Sequence, residues 1–265
     1  MTSISSRLEN IPFLSDLART RGWPYIIAWI HRLTGIVLVL YIWYHIYTLS
    51  FLHSPGEYDT KMNLFRAFVF IFLEWLLTVP VIFHAFNGGR LILYEIFGSR
   101  NDESMIRWVL GLSMIYILLI GLFMIMGNQA VSPVFFWLTL FVVSICLSYG
   151  VAAKIWESGV SKAWKFQRIT GAFLLIMIPA HLLFMHLDPS IGHESSVVMA
   201  RMQSVIIKVI DIVLILSVLY HGGYGLLAIA KDYLESRLLQ DGCALLIFMV
   251  MAVFAWVGIK VTLFI

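Results

Sequence analysis

The chain has 265 residues, 61% hydrophobic and 12% charged, with a mean hydropathy of +0.91. A soluble globular domain carries about 25% charged residues, so most of this chain must have lipid as its solvent. The net charge of +3 does not point to nucleic acid. The two cysteines, Cys146 and Cys243, lie in separate apolar runs. That excludes a CxxC metal site, and both read as small buried hydrophobes.

Residues 1–22 are polar and basic, with Arg7, Arg19 and Arg21. They do not read as a cleaved signal, because the apolar run that follows is too long for an h-region. A membrane span takes roughly 20 apolar residues. Seven candidates follow in chain order, at about 24–52, 64–97, 104–127, 133–155, 166–187, 204–231 and 243–264. Only a short turn near Gly127-Asn128 and Ser132-Pro133 divides the third from the fourth, and merging those two would give six. The predicted fold class is therefore all-α, a polytopic transmembrane helix bundle of about seven spans. Lys and Arg in short loops set orientation. Arg7, Arg19, Arg21, Arg100, Arg107, Lys154, Lys162, Lys165, Lys231 and Arg237 fall on one side. Lys61, Arg201 and Lys208 fall on the other, beside Glu57, Asp59, Asp188 and Glu194. This predicts the N-terminus on the inner, cytoplasmic side of the cytoplasmic membrane and the C-terminus outside.

The chain repeats itself. Residues 31–45 read HRLTGIVLVLYIWYH and residues 167–181 read QRITGAFLLIMIPAH, with Arg, Thr, Gly and a final His in register at an offset of 136. At an offset of 137, His84-Ala-Phe-Asn-Gly88 aligns with His221-Gly-Gly-Tyr-Gly225, Glu74 with Asp211, and Glu95 with Asp232. Such periodicity reads as an internal duplication. A three-span unit that starts inside ends outside. A second copy in the same orientation then needs one extra crossing, and 133–155 supplies it. The predicted organisation is a segment 1–22, a first repeat 23–127, a return span and linker 128–160, and a second repeat 161–265.

An ionisable residue inside a membrane is costly and functional by default. Counting along the helices puts His45 and His181 near the outer side, and His84 and His221 near the inner side. Each pair draws one histidine from each repeat. Two such pairs suit two haems b, each held non-covalently by two imidazoles between helices. No CxxCH is present for covalent attachment. Gly88 and Gly225 lie one turn from the inner histidines, and Gly35 and Gly171 lie ten residues before the outer ones. Glycine at these places leaves room for a macrocycle or a neighbouring helix.

His31, Arg32, Arg168 and Arg90 gather at the inner helix ends. They read either as partners for haem propionates or an anionic surface, or as snorkelling anchors. Arg90 lacks a counterpart in the second repeat and reads as an anchor. His53, His186 and His193 have no repeat partner and read as surface histidines. Glu74 and Asp211 fall in the outer half of their helices, where an acid can exchange protons with a quinone or can sit at the lipid rim. Asp232 and Tyr233, with Tyr94 and Glu95, form a second polar set at the inner end, either for a quinone carbonyl or as part of an interfacial tyrosine belt.

HRLTG with His45, FHAFNGG with His84, QRITG with His181 and YHGGYG with His221 together resemble the cytochrome b membrane-anchor subunit of succinate dehydrogenase and fumarate reductase. The resemblance is to the single-chain, two-haem type and covers roughly 22–97 and 163–236. LAIAKDY at 227–233 is similar to the tail of the haem helix in two-chain, one-haem anchors, whose Asp-Tyr pair lies by the quinone site. The resemblance implies His84 and His221 as ligands of the proximal, inner haem iron and His45 and His181 as ligands of the distal one. It implies an electron-transfer subunit that is not an enzyme alone. A flavoprotein subunit and an iron–sulfur subunit would dock on the cytoplasmic face, with a membrane quinone as redox substrate and lipid around the bundle. Single-chain two-haem anchors usually have five spans, so 103–157 is expected to lack a counterpart. Ala28 and Leu219 also stand where parts of the family have Ser and an acid. Two other readings compete: a haem b anchor of another quinone-linked dehydrogenase or reductase, and a haem-free, proton-linked transporter or scaffold.

Overall fold

The computed structural model describes residues 20–65, 67–98, 101–126, 133–186 and 193–265, and all regular structure among them is helical. The elements are α1 (Trp23–Leu49), a 3₁₀ turn (Ser50–His53), α2 (Pro55–Phe65), α3 (Phe68–Phe97), α4 (Asp102–Met126), α5 (Pro133–Ile155), α6 (Lys162–Met185), α7 (Ser195–Met202), α8 (Val205–Tyr233) and α9 (Arg237–Phe264). Among the described residues, seven helices are long and apolar enough to cross a membrane. Large apolar side chains point outward along them, including Leu33, Leu40, Leu118, Ile125, Phe248 and Trp256. Water would penalise such a surface, whereas hydrocarbon does not.

Four of these helices, α1, α3, α6 and α8, form a ring in which each touches the next. Outside the ring, α4 packs on α3, α5 on α6, and α9 on both α8 and α1. Small residues permit close approach, as is usual between helices in lipid. A Cβ on Gly222 of α8 would come within 2.8 Å of Val39 Cγ2 in α1. One on Gly258 of α9 would meet Ile215 of α8 at 3.1 Å. Between α5 and α6, Trp137, Phe173, Leu174 and Met177 form a buried core with Ile207, Ile210 and Leu214 of α8. Lys165 is buried, and its Nζ donates to the carbonyls of Trp156 and Ser158. It thus satisfies carbonyls at the end of α5 that would otherwise have no partner, and does more than bias the charge of a loop.

Several expectations are corrected. The second span starts at Phe68 instead of 64, because 55–65 forms the separate helix α2. The fifth starts at Lys162 instead of 166, and the last at Arg237 instead of 243. Helix α7 also lies in what reads as a loop. These two short helices meet: Asp59 accepts from the backbone N–H of Ser195 (2.9 Å) and from its hydroxyl (2.8 Å). Tyr58, Met62 and Met202 are buried together beside them. Cys146 is exposed and Cys243 half-buried, so neither is a buried core residue. Residues 1–19 with Arg7 and Arg19, the turn at 127–132, Arg100 and Asp188 lie outside the described residues.

The close contacts set a testable contrast. Gly222→Val is expected to destabilise the detergent-solubilised protein by about 1–3 kcal/mol through overpacking against Val39. Gly242→Ala lies within helix α9 where a Cβ meets nothing within 4 Å. It should be neutral or stabilising by up to about 1 kcal/mol. Thermal unfolding of both variants checks this, and equal effects would refute the close-approach role.

Candidate redox sites in the bundle

The end of the bundle that carries most of the basic loops is called inner, after the expected orientation, and the opposite end outer. The inner centre is built twice from the same parts. His84 of α3 donates from Nδ1 to the carbonyl of His31 in α1 (3.2 Å), with Thr34 Oγ1 also at 3.3 Å. His221 of α8 donates from Nδ1 to the carbonyl of Gln167 in α6 (3.3 Å). A carbonyl can only accept, so each Nδ1 carries the proton and each Nε2 is left bare. The rings reach these carbonyls because the facing helix has no side chain there. A Cβ on Gly35 would lie 3.0 Å from His84 Cε1, and one on Gly171 would lie 3.1 Å from His221 Cε1. Thr34 and Thr170 donate back to helix carbonyls, including those of His31 and Gln167. The imidazoles of His84 and His221 face each other with ring centres 6.3 Å apart and planes at 85°. His31 stacks on His84 at 3.9 Å. Gly88 faces His31 and Gly225 faces Gln167, so both glycines make room for the neighbouring helix.

The outer centre repeats the ring geometry. His45 of α1 and His181 of α6 lie 6.1 Å apart at 85°. Tyr41 and Trp137 flank them, Tyr41 on His45 at 5.7 Å and Trp137 on His181 at 6.3 Å. His186, expected at the surface, instead lies inside this centre. Its Nδ1 is 2.8 Å from Glu74 Oε1, and its Nε2 is 3.3 Å from His181 Nε2. His193 is also partly buried, with Nε2 3.5 Å from Glu74 Oε2. His53 is exposed, as expected. Nothing in spacing marks His186 or His193, because both fall outside the repeat register. The available signal was a second histidine five residues after His181. Glu74 is thus tied to two imidazoles, while Asp211, its counterpart in α8, forms no ion pair with the described residues.

At the inner end the arginines and acids pair across the repeats. Arg32 of α1 contacts Asp232 (2.7 Å) and Tyr233 Oη (2.8 Å) at the end of α8. Arg168 of α6 grips Glu95 of α3 through Nε and Nη2 (2.5 and 2.7 Å). The expected single polar set of Asp232, Tyr233, Tyr94 and Glu95 is therefore divided among three places, with Tyr94 under Arg90. Arg90 is buried, 3.5 Å from Asp102 and over the ring of Tyr94, so it does not snorkel.

Comparison with known proteins then places the chain. The family described as succinate dehydrogenase/fumarate reductase transmembrane subunit matches residues 15–121 and 152–259. The first stretch takes in most of α4, and 122–151 lies between the two stretches. The chain is 30% identical to the succinate dehydrogenase 2 membrane subunit SdhC of Mycobacterium tuberculosis (strain ATCC 25618 / H37Rv) over 95 residues, which is 34% of this chain and 69% of that protein. No solved structure matches. A match over two stretches that together hold both imidazole pairs shows that this chain belongs to the succinate dehydrogenase/fumarate reductase transmembrane subunit family.

Proposed function

We propose that the chain is the membrane anchor and two-haem cytochrome b subunit of a succinate dehydrogenase/fumarate reductase complex. It passes electrons between an iron–sulfur subunit on the cytoplasmic face and a membrane quinone. The observation that carries this reading is the paired imidazoles at two depths, with matching ring spacings of 6.3 and 6.1 Å and angles of 85°. An imidazole nitrogen lies about 2.0–2.1 Å from a metal it binds, so two imidazoles holding one ion would have ring centres roughly 6 Å apart. The inner ligands also have what a metal-bound histidine needs: an Nδ1 proton held by a second group and a bare Nε2. His84 and His221 thus fit the proximal haem, and His45 and His181 the distal one. When bound, the haems supply two one-electron stations. The inner centre lies at the level of Gly35 and the outer at His45, ten residues on, or about 15 Å by helical rise. That divides a hydrocarbon core of about 30 Å into shorter steps.

The repeated contacts support the division into repeats at 23–127 and 161–265, joined through 128–160. Each inner ligand bonds an equivalent carbonyl and faces an equivalent glycine, and each Arg-x-Thr-Gly stretch contributes an equivalent Arg–acid pair. The two family matches begin at 15 and 152, the same offset of 137 that relates His84 to His221. The basic inner end is the docking face for the iron–sulfur subunit, which is itself bound to the flavoprotein subunit.

For the quinone, Arg32, Asp232 and Tyr233 provide two donors and a carboxylate at a half-exposed place open to the inner interface. Arg168 and His31 lie on the same inner side, as second-repeat clamp and ring support. Glu74 and Asp211 are the candidate proton groups of the outer half.

Two results check this. The intact complex should hold two haems b per anchor chain by pyridine haemochrome, and His84→Ala or His221→Ala should leave one. Wild-type protein without haem, from haem-sufficient cells, would overturn the reading and favour a haem-free transporter or scaffold. Tyr233→Phe or Arg32→Lys should slow succinate-to-quinone electron transfer about 10–100-fold, the equivalent of one charge-assisted hydrogen bond, while both haems remain. Unchanged quinone kinetics would move the quinone away from this corner.

A further inference from the structure

The two centres share a ring geometry, yet their third imidazoles are placed differently. At the inner centre His31 lies flat on His84, with planes 9° apart. Its π face, and not its nitrogens, meets the pair. At the outer centre the third ring converges. Among the described residues, His45, His181 and His186 are the three metal-ligating side chains whose donor atoms all lie within 4.8 Å of one another. The ring of His186 is 5.8 Å from that of His45, and His181 is 6.1 Å from it.

The surroundings of the two rings also differ. His186 has Glu74 behind its Nδ1 at 2.8 Å. A carboxylate in that position fixes the tautomer and orientation of a metal-bound imidazole and raises its basicity. His181 Nδ1 is buried with no hydrogen-bond partner among the described residues. Local geometry explains how His186 comes to be there. Five residues along a continuous helix rotate a side chain roughly 140° away. However, α6 ends at Met185, and His186 has φ −125° and ψ 4°. Having left the helix, the residue turns its ring back into the bundle, where Glu74 holds it.

We infer that the outer centre carries two interchangeable donors opposite His45, namely His181 and the Glu74-anchored His186, either of which completes the coordination of the outer haem. This rests on the reading that His45 and His181 hold a haem. Only one of the two rings would be needed to hold the haem with His45, and the other would remain beside it, as the 3.3 Å between His186 Nε2 and His181 Nε2 allows. The inner haem has no such reserve.

The test uses the purified full complex, with haem-to-polypeptide ratio and low-temperature EPR of the ferric low-spin signals as readouts. His181→Ala is expected to keep two haems with a shifted outer-haem EPR signal, and His186→Ala to keep two. The double variant should fall to one. Adding Glu74→Gln to His181→Ala should weaken outer-haem retention about 10–100-fold, as removal of a carboxylate behind a ligand does. The inner haem, present in all these variants, reports that the bundle has folded. One haem in His181→Ala, with two in the wild type, overturns this inference and leaves the two-haem reading intact. Fewer than two haems in the wild type overturns both.

Discussion

One contact, made twice, organises the bundle: an imidazole donating from Nδ1 to the carbonyl of a neighbouring helix across a glycine. In hydrocarbon an unpaired polar ring is costly. A second helix can satisfy it only if its backbone comes close, and Gly35 and Gly171 make that approach possible. Once His84 and His221 are anchored this way, their rings lie 6.3 Å apart within the four-helix ring. The other residues of the repeated Arg-x-Thr-Gly stretch then acquire clear tasks. Threonine bonds the same stretch of helix carbonyls, and arginine ties the end of its helix to an acid from the opposite repeat. Arg32 with Asp232 and Arg168 with Glu95 are therefore cross-braces as much as they are binding groups. Each holds one repeat against the other at the end where the helices would otherwise splay.

The same logic explains the number of helices. On the proposed reading, two copies that both start inside cannot be joined directly, because each makes three crossings. Helix α5 supplies the fourth crossing and then finds a place for itself on α6, filling it with Trp137. It carries no member of either imidazole pair. Beyond the membrane spans, α2 and α7 clasp through Asp59 and Ser195, closing the outer end much as the Arg–acid pairs close the inner one.

Much of this was legible in the sequence. The histidine pairs followed from the offsets of 136 and 137, because a residue that recurs in register is constrained by the same packing in both copies. The seven spans followed from hydropathy alone. What escaped was tertiary. His186 and His193 have no repeat partner, and their proximity to Glu74 arises only once α6 ends and the chain turns back. Arg90 looked like an anchor because its burial depends on how α4 lies over α3 with Asp102. Helices α2 and α7 are both polar enough to read as loops, and only the last two residues of α2 fell within the expected second span.

The departures from symmetry have a pattern of their own. What the repeats hold in common lies along the axis of the bundle: ring pairs, carbonyls, glycines and cross-braces. What differs lies toward the two faces. At the inner face the residue in register with Tyr233 is Ile96, so the duplication gives a phenol to one Arg–acid brace and none to the other. At the outer face Glu74 gathers two histidines, while Asp211 has no such partners. If the chain is the duplicated electron carrier proposed above, it needs its two centres alike in how they hold their cofactors. It needs them different where each meets quinone, protons or a partner subunit. Selection acting on a duplicated bundle would leave its traces in the unrepeated residues, and in this chain those are Tyr233, His186 and His193.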